Sequence, residues 1–128
     1  MILYFFYFLF SPLFWLILHT AGLFSRKIRK HILEQSSVFR TLKERLTENS
    51  LPVIIFHAAS AGEFEQLRPV LRRMDRNKYF IIQSFFSPTI YDKEKSSNLF
   101  HISCYHPFDF PWSAALFFYY IRPQYYII

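Results

Sequence analysis

A chain of 128 residues has room for one modest domain, and a hydrophobic share of 52% is high for a fully soluble one. The single cysteine, Cys104, excludes an internal disulfide and fits a reducing compartment. A net charge of +6 points to anionic partners, either nucleic acid or a membrane surface.

The run MILYFFYFLFSPLFWLILHTAGLF, Met1 to Phe24, carries no formally charged side chain. A bilayer core needs about 20 mainly apolar residues, so this run is long enough to be a membrane anchor over residues 1–24. Ser11-Pro12 interrupts it and predicts a kink or a re-entrant dip, with the freed carbonyl partnered elsewhere. A cleaved signal peptide fits less well. No basic stretch precedes the apolar block, and positive charge follows it instead.

That charge is Arg26, Lys27, Arg29 and Lys30, directly after the apolar run. By the positive-inside pattern it marks the cytoplasmic side of the cell inner membrane, placing the rest of the chain in the cytoplasm. Residues 25–50 read as a basic amphipathic connector. Ile28, Ile32, Leu33, Val38, Phe39, Leu42 and Leu46 recur at helical spacing among cations. Such a helix either lies against anionic headgroups or is a solvated face. Nucleic acid is not expected, because the charge hugs the apolar run and no aromatic–basic module follows.

From Leu51 the period changes, and residues 51–128 read as the globular part. Val53 to Phe56 form a short buried strand. Phe64, Leu67, Leu71 and Met74 follow at helical spacing, then a strand from Tyr79 to Phe85 and a turn at Ser87-Pro88-Thr89. A third strand spans about Leu99 to Tyr105. Trp112, Ala115, Leu116 and Tyr119 mark another helix, which Arg122-Pro123 ends before a buried strand from Tyr125. Strands alternating with helices predict an α/β fold with a parallel sheet covered on both faces. Pro69 lies inside the helix that starts near Ser60, which predicts a kink or break between Glu65 and Pro69.

The chemistry gathers in FHAASAGEFEQL, Phe56 to Leu67. With Ser60 as N-cap, Glu63 is the third helical residue, and the two form an S-x-x-E capping box worth about 1 kcal/mol. The same turn also suits a reaction. Small residues let a substrate approach the backbone, and Gly62 can adopt angles closed to other residues. Free N–H groups at a helix start favour anions, and a carboxylate there can act as a general base toward a hydroxyl. No Gly-rich phosphate loop of the dinucleotide or P-loop type is present. Ser87 and Thr89 are explained either by capping with Pro88 at the first helical position or by ligand contact. His57, His101 and His106 lack metal-ligand spacing, and His57 reads as a packed or hydrogen-bonded residue. Asp109 reads as helping to start the next helix. Arg68, Arg72 and Arg73 read as a solvated helix face, with an anion clamp for an acidic lipid as the alternative.

HAASAGEFEQLRPVL, then SFFSPTIY, then HPFDFP and IRPQ, in that order and spacing, resemble the N-terminal domain of the Kdo transferases. These are the 3-deoxy-D-manno-octulosonic acid glycosyltransferases of lipopolysaccharide assembly. The resemblance implies a Rossmann-like domain, the acceptor half of the two-domain GT-B architecture. It implies an inverting transfer of Kdo from the donor CMP-Kdo to a lipid A precursor, with Glu63 as base and no further cofactor. Ser60, Gly62, Ser87 and Thr89 become candidate substrate contacts. Ile90 stands where the family pattern usually has Gly. In the family a second acidic motif, Glu-Thr-Glu-Leu-Trp-Pro-Asn, and the donor domain follow. The 128 residues thus correspond to the first third or less of such an enzyme, expected to be inactive alone and to have a separately encoded C-terminal domain as partner. The alternative expectation is a non-catalytic membrane-anchored protein binding acidic lipids.

Overall fold

The computed structural model describes residues 2–128. Two long helices come first, α1 (Ile2–Phe24) and α2 (Arg26–Thr47), followed by β1 (Val53–Ala58), α3 (Ala61–Arg73), β2 (Phe80–Phe85), α4 (Pro88–Glu94), β3 (Ile102–Tyr105), α5 (Pro111–Ile121) and β4 (Tyr125–Ile127). The four strands form one sheet in the order β3-β2-β1-β4, and every neighbouring pair is parallel. Each crossover therefore carries a helix, and the reversal beside β1 is the switch point of a doubly wound sheet.

Alternation along the strands sends side chains to two cores. Ile54, Phe56, Ala58, Ile81 and Phe85 pack on one face with Phe64 and Leu71 of α3 and Ile90 and Tyr91 of α4. Val53, Ile55, Phe80, Ile82 and Cys104 pack on the other with Leu42 of α2 and Phe117 and Ile121 of α5. The apolar stripe of α2 thus packs on the sheet through Val38, Phe39, Leu42 and Leu46, while Leu33 is exposed. Three polar ties fix α2 in place. Glu34 accepts from Tyr105 at 2.9 Å, Lys30 pairs with Asp92 of α4, and the buried His31 ring sits 3.0 and 2.9 Å from the carbonyl oxygens of Phe86 and His106.

α1 runs unbroken through Pro12, without a re-entrant dip. The Ser11 hydroxyl donates to the Tyr7 carbonyl at 2.5 Å, so part of the backbone acceptor capacity in the turn before the proline is used locally. A single residue, Ser25, separates α1 from α2 and caps α2 by accepting from Ile28 N–H at 3.4 Å. The two helices approach closely at Gly22, where a Cβ would come within 3.3 Å of Ile32 Cδ1 and push that side chain aside by a few tenths of an ångström.

α3 likewise continues through Pro69, so the expected break is absent. Pro69 removes one N–H in the second half of a helix whose Phe64 and Leu71 are both buried, and that packing holds the axis together. The helix expected from Trp112, Ala115, Leu116 and Tyr119 is α5, but those four residues are not the ones that meet the sheet. Phe117 and Ile121 point inward, whereas Trp112, Ala115, Leu116 and Tyr119 are exposed. α5 carries no charged residue, so apolar spacing alone could not choose between its sides.

Candidate functional site

The carboxyl ends of β1, β2 and β3 converge on one edge of the sheet, where the loops into α3, α4 and α5 leave it. Ala58 pairs with Phe85 across β1 and β2, and Phe86 N–H donates to Ala58 O at 3.3 Å, so the first two loops begin side by side. The edge thereby brings Ser60, Gly62 and Glu63 next to the turn that carries Ser87 and Thr89.

The first turn is built as the sequence predicts. Ser60 is the N-cap, extended at φ −134 and ψ 165, and its hydroxyl oxygen accepts from Glu63 N–H at 3.3 Å. The return bond lands one residue earlier than a standard capping box, because Glu63 Oε2 accepts from Ala59 N–H at 2.7 Å. Among the described residues, Oε1 of Glu63 takes no protein hydrogen bond, and Ala59 to Glu63 are all exposed. One carboxylate oxygen is fixed by the turn, and the other is open to solvent. Gly62 departs from expectation. It sits in the first helical turn without a positive φ, so no special backbone angle requires glycine. A Cβ there would meet only Ser60 Oγ, at 4.0 Å. Its contribution is open space beside the carboxylate.

In the second turn Ser87 occupies the N-cap position with Pro88 at the helix start, but its side chain makes no capping bond. Thr89 is exposed and lines an open groove of about 580 Å3 with Arg26, Lys27, Lys30, Asp92 and Lys93. Four cations against one carboxylate make that groove electropositive. Only the fold reveals it, since α2 and α4 are distant in the chain. Another groove, about 600 Å3 between α2 and Tyr120 of α5, is lined by none of the expected site residues.

Behind the edge lies a histidine cluster that residue spacing did not disclose. His57 Nδ1 is 3.0 Å from Ser84 Oγ, and its ring centroid is 4.2 Å from that of His106. The Tyr126 hydroxyl lies 2.8 Å from His106 Nε2, and His106 Nδ1 is 3.0 Å from Pro107 O. That arrangement suits a neutral ring donating through Nδ1 and accepting at Nε2. Burial, followed by the charge of His57, pushes His106 down to about 4. Burial also lowers His57, with Glu63 acting in the opposite sense. Among the described residues no group of three or more His, Cys, Asp or Glu side chains is placed to hold a metal ion.

Two other expectations change. Asp109 does not cap α5, whose N-cap is Phe110. It accepts instead from the Tyr7 hydroxyl of α1, at its carbonyl (3.0 Å) and at Oδ1 (3.1 Å). Arg68 is not a freely solvated cation: it bonds Glu65 at 2.9 Å and the buried Glu94 at 3.1 Å.

The doubly wound parallel sheet, with an acidic helix start open at its carboxyl edge, defines an α/β domain of the kind that binds ligands beyond its strand ends. A family model described as 3-deoxy-D-manno-octulosonic-acid transferase (kdotransferase) matches residues 33–128, and the chain belongs to that family. No curated protein and no solved structure matches it. The matched span begins inside α2, consistent with that helix being a layer of the domain.

Proposed function

We propose that the chain forms the acceptor half of an inverting Kdo transferase and that Glu63 is its general base. The observation that carries this reading is the division of labour within one carboxylate. Oε2 is held by Ala59 N–H while Oε1 faces solvent at the strand edge. A base must be both oriented and reachable. Oε1 would take the proton of an acceptor hydroxyl as that oxygen bonds to the anomeric carbon of Kdo. The bond from that carbon to the CMP phosphate breaks, and its electron pair leaves with CMP. The proton then passes to water. Donor recognition falls to a CMP-Kdo-binding domain acting with this one.

The acceptor is a lipid A precursor, an anionic lipid. The electropositive groove at Thr89 supports that choice, since Arg26, Lys27 and Lys93 line it and can pair with phosphates. Leu3–Phe24 has a mean hydropathy of 1.5 and is long and apolar enough to hold the chain at a membrane. The basic start of α2 supports the anionic cytoplasmic leaflet of the inner membrane. Co-expression with a CMP-Kdo-binding domain of the family, followed by measurement of Kdo on lipid A precursor, tests the reading. Glu63→Gln should abolish transfer. A variant as active as the parent would remove Glu63 from the mechanism.

A further inference from the structure

We propose that the outward face of α5 is a second membrane contact, seated on an anionic bilayer surface in the same plane as α1. Trp112, Leu116, Tyr119 and Tyr120 project from α5 with 43%, 52%, 62% and 45% of their surface exposed. The helix is thus apolar on the side that meets the sheet and on the side that does not.

Its outer composition is that of a lipid–water boundary, where aromatic rings sit among cations. The Lys43 ammonium lies 3.8 Å from the centroid of the Tyr120 ring, and the Arg122 guanidinium 5.4 Å from that of Tyr119. Those two cations rim the patch, and α5 itself has no acidic residue. Long basic side chains in that position can reach lipid phosphates while their stems cover apolar surface.

Continuity with α1 gives the plane. Tyr7 is bonded to Asp109, and α5 starts two residues later, at Pro111. Ser25 follows Tyr7 by eighteen positions, about 27 Å of helix. If α1 stood across the bilayer from a headgroup-level Ser25, Tyr7 would hold Asp109 near the far side of a hydrocarbon core about 30 Å thick, and the ionisable chain around it would have to pass through that core at high cost. An α1 lying along the surface avoids that cost. Tyr7, Ser11, Leu18 and Gly22 then turn toward protein while Phe5, Leu9, Phe10, Leu13 and Leu16 turn outward. A second copy is the poorer occupant of the α5 face. A two-fold contact there would bring Lys43 and Arg122 of both copies to a shared rim.

The proposal rests on α1 being membrane-borne, and the experiment separates the two. In full-length chain carrying Trp15→Phe, Trp112 is the only tryptophan left, since the sequence has two. The protein is mixed with phosphatidylglycerol–phosphatidylcholine vesicles whose acyl chains are brominated near the headgroup. It should sediment with the vesicles and lose Trp112 emission by about twofold or more relative to unbrominated lipid. Adding Leu116→Glu and Tyr119→Glu, both at exposed positions, should restore most of that emission with circular dichroism and sedimentation unchanged. Sedimentation without quenching would overturn the α5 contact and leave α1 as the sole anchor. Failure to sediment would overturn both. Absent quenching with cross-linked dimers through Trp112 would assign the face to a second copy.

Discussion

Ala59 N–H donates to Glu63 Oε2 at 2.7 Å, so the side chain proposed as base is also a structural part of its own turn. The two roles separate by substitution. Glu63→Gln keeps an acceptor oxygen for Ala59 and should change stability by less than about 0.5 kcal/mol, while transfer falls by roughly 100-fold or more. Glu63→Ala loses the bond as well and should cost about 1 kcal/mol. Urea denaturation in detergent, beside Kdo transfer with the co-expressed donor domain, checks both. Equal stability losses for the two variants would show that Ala59 does not hold the carboxylate.

Gly62 gives a prediction of opposite signs. Its backbone is ordinary helix, so Gly62→Ala should stabilise the fold by roughly 0.5–1 kcal/mol through helix propensity and a less flexible unfolded chain. Nothing in the fold opposes the added methyl, whose nearest neighbour is Ser60 Oγ at 4.0 Å. If the space beside Glu63 receives the acceptor, the same variant raises the acceptor KM. A stabilised variant with unchanged KM would place the acceptor elsewhere.

The alternation of strand and helix was legible in the sequence because both periodicities are local. The Ser60 cap, the Ser87-Pro88 helix start and the helix end at Arg122-Pro123 all fall where residue chemistry put them. The continuity of α1 through Pro12 and α3 through Pro69 was not legible. One lost N–H is a local cost, and packing decides whether the helix survives it. The inward side of α5 was hidden because all its sides are apolar. The histidine cluster and the groove at Thr89 join residues from distant elements, and no local spacing encodes such meetings. At Asp109 a capping rule lost to a tertiary partner, Tyr7, that lies in the first helix.

Arg68 ties α3 to α4 by bonding Glu94, whose residue surface is only 8% exposed. Arg68→Met leaves that buried carboxylate with Lys93 at 4.0 Å as its nearest cation. The expected loss is about 2 kcal/mol, below the range for a fully enclosed pair because part of the bridge meets solvent. Pairing it with Glu94→Leu should recover most of the loss, since an apolar replacement of both partners removes the stranded charge. A double variant as unstable as the single one would show that Arg68 acts through packing. Chemical denaturation of the parent and the three variants decides it.

The three inner histidines make stability fall on the acid side. Burial lowers His31 and His57, and brings His106 to about 4. At His31 the two facing carbonyls oppose that shift, because a neutral ring can donate to only one of them, so its share is smaller than burial alone would give. An unfolded chain takes up these protons near pH 6.5, whereas the folded chain resists until lower pH. Their contribution is therefore complete above about 6.5 and is lost as pH falls through each ring's lowered value, which for His106 is about 4. The ceiling is about 1.4 kcal/mol per pH unit for each ring kept neutral, reduced by solvent screening at the half-buried His57 and His106. Thermal melts from pH 7.5 to 4.5 should show the decline, and His106→Gln should flatten it. An unchanged slope would remove His106 from the acid response.

Gln83 sits fully buried in the middle of β2, where its Nε2 donates to Ser84 O at 3.1 Å. Among the described residues its Oε1 has no partner, although it lies within the sheet's interior. A carbonyl oxygen desolvated without compensation costs about 1–3 kcal/mol, more than one neutral hydrogen bond returns. Gln83→Met keeps the length, removes the stranded oxygen and gives up the bond to Ser84, so it should stabilise the fold by about 1 kcal/mol. A rise in the denaturation midpoint at unchanged slope is the expected result. A fall would mean that the amide carries a polar contact that an apolar chain of the same length cannot replace.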